Sequence, residues 1–355
     1  MGLDHRITAI RKKVEGVKTI VVRLPNWVGD IVMVSPSLRN LKESFPNHRF
    51  IATGRPYSKQ ILSANKIFDG FISKPEKGSG PSAYKSYLNS LRSLGPSAGI
   101  LYTNSFSSAI DFFLAGISFR LGYRNEMRSF FLSESIEMVP GAMDDKYAEL
   151  THRFGATLNH HQLELGLDEK CQKIYEIVSR KHSILDEETL IGFNPGAGFG
   201  ETKKWLTEYF IELGKLLADA LGPVRFLVFG GPGDEHRAEQ ISEGLGGLAI
   251  NLSRESLGLH NIKPFFKRMN LFITNDSGLR WYSLAMGKPT IVLFGPSDPD
   301  LTQCFTENTF PIQHKVSCAP CKHRVCPIGF DCMRDLTPQK VFDLTHDLYS
   351  KKIWN

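Results

Sequence analysis

Short apolar runs alternate with amphipathic stretches along this chain, and the rhythm occurs twice, once in each half. The run Thr19-Ile-Val-Val-Arg-Leu24 is rich in β-branched residues and reads as a buried strand. A Pro/Gly turn over 25–30 follows, and Leu38, Leu41 and Phe45 then recur at helical spacing. Residues 49–53, 67–72 and 98–102 are further strand candidates in this half. The second half opens on a strand at 190–193 and continues with 224–229, 248–252, 271–274 and 289–294. Helical patterns lie between them, the clearest over 209–221 and 234–245. Strands alternating with helices predict βα units on parallel sheets, hence an α/β fold in two Rossmann-like domains.

The polar stretch 168–188 carries no strand-like run and separates the halves. This predicts an N-terminal domain over 18–170, a linker over 171–188, a C-terminal domain over 189–336 and a closing helix over 337–355. Residues 1–17 form an extension ahead of the first strand and read as a floppy tail. Two facing α/β halves leave a cleft, and open α/β sheets bind ligands beyond the carboxyl ends of their strands.

At 355 residues the chain has room for two such domains of about 150 residues each. With 41% hydrophobic and 23% charged residues it can bury two cores, which excludes bulk disorder. The formal charge of +6 is modest and fits an acidic ligand or an anionic membrane face. No RNP motif, paired-His zinc-finger spacing or Lys/Arg-rich run argues for a nucleic-acid partner. No apolar run approaches the ~18 residues that span a bilayer, and residues 1–18 are basic and polar without an apolar signal core. A soluble, cytoplasmic protein is the expectation.

The candidate chemistry sits where strands end. Asp30, in Pro25-Asn-Trp-Val-Gly-Asp30, is either a helix cap or a general base aimed into the cleft. In Asn194-Pro-Gly-Ala-Gly-Phe-Gly200, backbone N–H groups around Gly196 and Ala197 can meet a phosphate, and Lys203 and Lys204 follow to neutralise it. The bland alternative for the lysines is an exposed helix face. Asp234, in Phe229-Gly-Gly-Pro-Gly-Asp-Glu235, can bond ribose hydroxyls or cap the next helix. Asp276, Ser277, Gly278 and Leu279, in Thr274-Asn-Asp-Ser-Gly-Leu279, make a compact corner for an anion or hydroxyls. Phe294-Gly-Pro-Ser-Asp-Pro299 closes the next strand with another turn. Each corner alone could be turn chemistry. Together they argue for a site.

Cys171 and Cys304 stand alone, whereas Cys318, Cys321, Cys326 and Cys332 fall within fifteen residues. One CxxC with two neighbouring cysteines suits tetrahedral zinc through four thiolates, in a structural role. Two disulfides, or reduced thiols without a ligand, fit the spacing as well. Lying downstream of the glycine-bearing corners, the cluster is expected to leave them alone.

The string Leu24-Pro-Asn-Trp-Val-Gly-Asp-Ile-Val-Met33 resembles the opening motif of the ADP-heptose:lipopolysaccharide heptosyltransferases, glycosyltransferase family 9, type II in particular. The segments 194–205, 274–279 and 294–299 are similar to that family's donor-site segments, and 104–109, 115–117 and 121–123 to its acceptor side. The resemblance covers residue 18 to the end. It implies a GT-B fold and an inverting transferase that requires no metal or other cofactor for catalysis. The N-terminal domain would hold an acceptor in the inner core of lipopolysaccharide (heptosyl- or Kdo-lipid A), the C-terminal domain ADP-heptose. It further implies work at the inner face of the inner membrane, with a peripheral contact there. By position, Asp30 matches the catalytic base, Lys203 the lysine on the donor phosphates, and Asp234 an acidic position near the ribose. Gly196, Ala197, Asp276, Ser277, Gly278 and Leu279 fall in the donor loops. One departure bears on the donor sugar: relatives carry His two residues after the leucine of the last loop, and this chain has Trp281. A transferase for another nucleotide sugar and a non-catalytic nucleotide-binding paralogue therefore stand as alternatives.

Overall fold

Every residue of β1 (Thr19–Arg23) is buried, because the run lies at the middle of a parallel sheet. The computed structural model describes residues 2–300 and 307–354, which divide into two units between Gly166 and Leu167. The first unit adds β2 (Arg49–Gly54), β3 (Gly70–Ser73), β4 (Ser97–Leu101), β5 (Phe119–Tyr123) and β6 (Glu134–Ile136), in the order β3-β2-β1-β4-β5-β6. Its helices are α1 (Leu3–Glu15), α2 (Val28–Met33), α3 (Ser35–Ser44), α4 (Pro56–Leu62), α5 (Gly80–Arg92), α6 (Phe106–Leu114) and α7 (Met143–Arg153).

The second unit begins with α8 (Glu169–Lys181) and winds in the same way. Its strands β7 (Thr189–Asn194), β8 (Val224–Val228), β9 (Ala249–Asn251), β10 (Leu271–Asn275), β11 (Thr290–Phe294) and β12 (Thr309–Gln313) lie in the order β12-β11-β10-β7-β8-β9. Around them are α9 (Thr207–Leu221), α10 (Glu235–Leu245), α11 (Lys263–Arg268), α12 (Arg280–Ala285), α13 (Asp331–Arg334) and α14 (Pro338–Ser350). All the strand pairs are parallel, so each unit is a doubly wound Rossmann-like sheet. Strand order reverses between β1 and β4 in one unit and between β7 and β10 in the other, and such switch points open a crevice beyond the strand ends. In the second core, the Phe193 ring packs tilted against Phe226 with centroids 4.8 Å apart. Trp205 meets Phe210 at 5.0 Å and ties its indole N–H to the Leu336 carbonyl at 2.6 Å.

Three expectations change. Residues 171–188 are no linker: α8 occupies most of them, with the Asp168 carboxylate capping the Cys171 N–H at 3.0 Å and Cys171 and Val178 buried. The tail is a helix too. Ile10 and Val14 of α1 are buried, and Arg11 donates to the carbonyls of Gly155 and Ser44 at 2.8 and 3.2 Å. Strands β5, β6 and β12 add to those read from the sequence, and the run at 67–72 forms its strand later, as β3. Among the described residues no helix is long and apolar enough to cross a membrane. Cys304 lies outside the described residues.

Candidate functional site

Asp30 is the third residue of α2, just beyond the C-terminal end of β1 at the first switch point. The helix-cap position belongs to Trp27, and no side chain caps this helix, so the carboxylate is left for other work. Tyr147, on α7, donates its hydroxyl to Asp30 Oδ1 at 3.0 Å. That tyrosine is held in turn by an edge contact with Tyr102, ring centroids 5.7 Å apart, and Tyr102 hydrogen-bonds Thr151 at 2.6 Å. Burial raises the Asp30 carboxyl above its ordinary value, and the Tyr147 hydrogen bond pulls partly the other way. A carboxylate made costly by burial is a better proton acceptor than one in water.

The second switch point is denser. The β7–β10 register sets Asn194 beside Thr274, and the Asn194 amide donates to Thr274 Oγ1 at 2.9 Å and to Ser277 Oγ at 2.8 Å. Asn275 spans the same gap, donating to the Pro195 carbonyl at 2.7 Å and accepting from the Trp205 N–H at 3.0 Å. These bonds lash the glycine-bearing loop after β7 to the corner after β10. Asp276 sits in that corner between two cations: Lys203 pairs with one oxygen and Arg280 with the other, the latter at 3.0 Å, while Ser297 donates at 2.8 Å. Burial alone would raise this carboxyl, but Arg280, Lys203 and Ser297 outweigh it and hold it below its ordinary value. Two cations against one carboxylate leave the corner net positive.

Lys204 does something else. It pairs with Asp234 and with Glu201, both at 2.6 Å, and is buried. Asp234 in turn lies against Gly196, where a Cβ would come 2.5 Å from its Oδ2. Lys203 closes a short 3-10 turn (Glu201–Lys203), so the loop does not run straight into a helix; α9 starts only at Thr207.

Cys318, Cys321, Cys326 and Cys332 line one cavity of about 30 Å³ with Thr202, Pro296, Ile328 and Phe330. Burial and the other three sulfurs push the Cys332 thiol up to about 11. Contrary to the expectation of a bystander, this segment packs on the corners. The Cys321 N–H donates to the Pro296 carbonyl at 2.8 Å, Thr202 donates through Oγ1 to the His323 carbonyl at 2.6 Å, and the Arg324 guanidinium lies 5.5 Å from the Phe199 ring centroid. Elsewhere, ligand-type atoms of Asp168, Cys171 and His260 gather within 4.8 Å, and the contacts there are those of a helix cap: His260 meets Asp168 at 2.9 Å.

Residues 86–330 match glycosyltransferase family 9 (heptosyltransferase). The chain belongs to that family. It is 28% identical to lipopolysaccharide heptosyltransferase 2 of Salmonella typhimurium, over 94% of this chain and 99% of the relative. The structure of Escherichia coli ADP-heptose lipopolysaccharide heptosyltransferase II superposes with a TM-score of 0.76 at 25% identity, covering 94% of this chain and 99% of that one. E. coli heptosyltransferase WaaC, solved with ADP-2-deoxy-2-fluoro heptose, shares the fold at TM-score 0.70 and 18% identity, over 93% of this chain and 99% of that one. The fold is thus GT-B, and the chain is a glycosyltransferase of the heptosyltransferase family.

Within this family-9 chain, Lys203 meets Asp276, Asn194 ties the β7 loop to Ser277, and Asp234, which follows β8, lies against Gly196; Ala197 sits in the β7 loop, and Gly278 and Leu279 in the corner after β10. Asp30 stands at the matching place in the other unit. Two residues escaped the sequence reading. Tyr147 is remote in sequence and carries no motif. Arg280 directly follows the quoted loop, and an arginine one step beyond Asp-Ser-Gly-Leu was a signal available in principle. Trp281 is buried, and its ring lies 4.2 Å beneath the Arg280 guanidinium.

Proposed function

We propose that this chain transfers heptose from ADP-heptose to the inner core of lipopolysaccharide, on a heptosyl- or Kdo-lipid A acceptor, with inversion at the anomeric carbon. Asp30 takes the proton of the acceptor hydroxyl as its oxygen bonds to the anomeric carbon. The bond from that carbon to the diphosphate breaks, and ADP leaves with the electron pair. Lys203 and Arg280 stabilise the charge growing on the leaving diphosphate, with the N–H groups around Gly196, Ala197, Ser277, Gly278 and Leu279 beside them. Asp234, steadied by Lys204, faces the ribose. The observation that carries this reading is the net-positive corner at Asp276 on the β7/β10 switch point. It offers a diphosphate a partly exposed lysine backed by a buried arginine.

The test is ADP release from purified protein mixed with ADP-heptose and a core acceptor, run beside UDP- and GDP-sugars. Release specific to ADP-heptose and dependent on acceptor supports the reading. Turnover with another nucleotide sugar assigns the chain to that donor, and binding of ADP without turnover makes it a non-catalytic paralogue. Because Trp281 braces Arg280, its effect on donor choice would act through that cation.

The cysteine segment suits a structural zinc. Four thiols face one small cavity, and thiolates that would repel each other there need a cation to ionise together. Cys318, Cys321, Cys326 and Cys332 would hold it, and it would supply a cross-link within the segment rather than chemistry. The protein would act in the cytoplasm at the inner face of the inner membrane, where its lipid-linked acceptor lies.

A further inference from the structure

Helix α6 is apolar on both sides. Ala109 and Phe112 face the core, yet Phe106, Phe113 and Leu114 are exposed and Ile110 half so, at the i, i+4, i+7 and i+8 spacing of a second apolar face. Ser107 is exposed and Asp111 is tied to Lys74 and Tyr84, so polar groups separate the buried stripe from this second, exposed apolar one. The 3-10 turn Glu126–Phe131 extends the surface. Met127 and Phe130 are 65% and 79% exposed, and i, i+3 spacing in such a turn puts them on one side. The Phe131 ring joins the two elements, edge-on to Phe106 and to Phe113 at 5.5 and 5.4 Å between centroids. The aromatic surface is therefore contiguous, and contiguous exposed apolar surface marks an interaction site.

Its borders are cationic. Arg92 caps the end of α6 through two hydrogen bonds to the Leu114 carbonyl, at 3.2 and 2.9 Å. The Arg120 guanidinium lies 5.4 Å from the Phe113 ring centroid and donates to the Phe131 carbonyl at 2.7 Å. Arg128 is fully buried under the turn, with Nε and Nη2 lacking hydrogen-bond partners among the described residues. Among the described residues none of these three arginines pairs with a carboxylate. Aromatic and aliphatic side chains edged by Arg92 and Arg120 match the boundary between acyl chains and phosphate headgroups.

We infer that the face built by α6 and the 126–131 turn docks the protein on an anionic phospholipid bilayer. Phe106, Phe113, Leu114, Met127 and Phe130 enter the boundary region, and Arg92 and Arg120 meet headgroup phosphates. Both elements run between the two edges of the sheet: Leu114, at the end of α6, reaches the amino ends of the strands beside Arg92, whereas Phe106 and Met127, near the start of each element, lie beyond the carboxyl ends of β4 and β5, on the edge where Asp30 follows the neighbouring β1. Docking there would bring that edge to a membrane-anchored acceptor; this last link rests on the acceptor proposed above, whereas docking itself does not.

The experiment is sedimentation of the full chain with vesicles, without donor or acceptor. One set is phosphatidylcholine alone, the other contains about one-third phosphatidylglycerol. The wild type is expected to bind the anionic vesicles preferentially and to be released by salt. Phe113→Ser/Phe130→Ser should lower binding at least about tenfold, and Arg92→Gln should weaken binding to anionic vesicles selectively. Because Phe113 touches Phe131 and Arg120 and Arg92 bonds the Leu114 carbonyl, binding is compared at a temperature where melting curves show every variant folded. Equal binding of wild type and double variant, or no preference for anionic vesicles, overturns the inference. A self-association lost in the double variant, measured by light scattering without any vesicle effect, also overturns it and gives the face to a second copy. Turnover of the double variant on a delipidated acceptor reports separately on the transferase reading.

Discussion

The Tyr147 hydroxyl reaches Asp30 Oδ1 across 117 residues of sequence and is the hydrogen bond that favours the ionised form of this buried carboxylate. Asn can accept the same bond but no proton, so Asp30→Asn should lower turnover by about 10²–10⁴-fold while leaving ADP affinity unchanged. Near-normal turnover would remove Asp30 from the chemistry. Tyr147→Phe should instead move the acid limb of kcat/KM to higher pH, since losing that bond raises the carboxyl further.

Stability should respond in the opposite sense. The folded Asp30 carboxyl ionises at higher pH than an unfolded one, so its stability contribution is fully present below the unfolded value. It is lost as pH rises through the folded value. Near neutrality, then, Asp30→Asn should melt at or above the wild-type temperature, and the difference should vanish in acid. A variant that melts lower at neutral pH would mean the charge is better compensated than its contacts indicate.

Lys203 and Lys204 are adjacent but differ in surroundings, and their alanine variants should fail differently. Lys203 is partly exposed beside Asp276, which keeps Arg280 and Ser297 when the lysine is gone. Lys203→Ala should weaken ADP binding about tenfold or more with little change in melting. Lys204→Ala strips the cation from buried Asp234 and should cost about 1–3 kcal/mol of stability. Thermal melts and ADP titrations on both variants separate the roles. Matching losses in both readouts would mean the two lysines form one unit.

If zinc occupies the cysteine cavity, purified protein should carry about one equivalent by elemental analysis. Chelation should then weaken ADP binding as well as stability, because Cys321 is bonded to Pro296 and the neighbouring His323 carbonyl holds Thr202. Metal-free, reduced protein with full stability and ADP affinity would leave the cysteines as plain thiols.

The strands that were legible, such as 19–24 and 289–294, are central runs buried on both faces and hence continuously apolar. Those that were not are interrupted or short. Strand β5 contains Arg120 and Gly122, β6 spans three residues, and β12 carries Pro311, which an edge strand tolerates. Helices α1 and α8 were hidden for a related reason: each buries only a few side chains, so the apolar stripe is too thin to stand out. In the site, residues on glycine-bearing turns after strands could be read, because turn chemistry is local. Tyr147 could not. It reaches Asp30 through sheet topology that brings α7 to α2, and nothing in its own neighbourhood announces that.

The sharpest test of the coupling between the β7 loop and the cysteine segment uses two glycines of one motif. At Gly198 an added Cβ meets nothing within 4 Å, and the residue is exposed. At Gly200 it would come 2.7 Å from the Arg324 carbonyl oxygen and 2.9 Å from Arg324 Cα. Those are backbone atoms and cannot swing aside as a flexible side chain would, so the two segments must separate. The bond from the Thr202 N–H to that same carbonyl, at 3.3 Å, would go with them, and Lys203 sits one residue further on. Gly198→Ala should therefore bind ADP and turn over like the wild type. Gly200→Ala should lose ADP affinity and, if the cysteines hold zinc, release it more readily to a chelator. Steric overlap of this kind typically costs about 1–3 kcal/mol, enough to move a dissociation constant by roughly tenfold. Equal affinities in the two variants would mean that the loop reaches its working shape without the cysteine segment behind it.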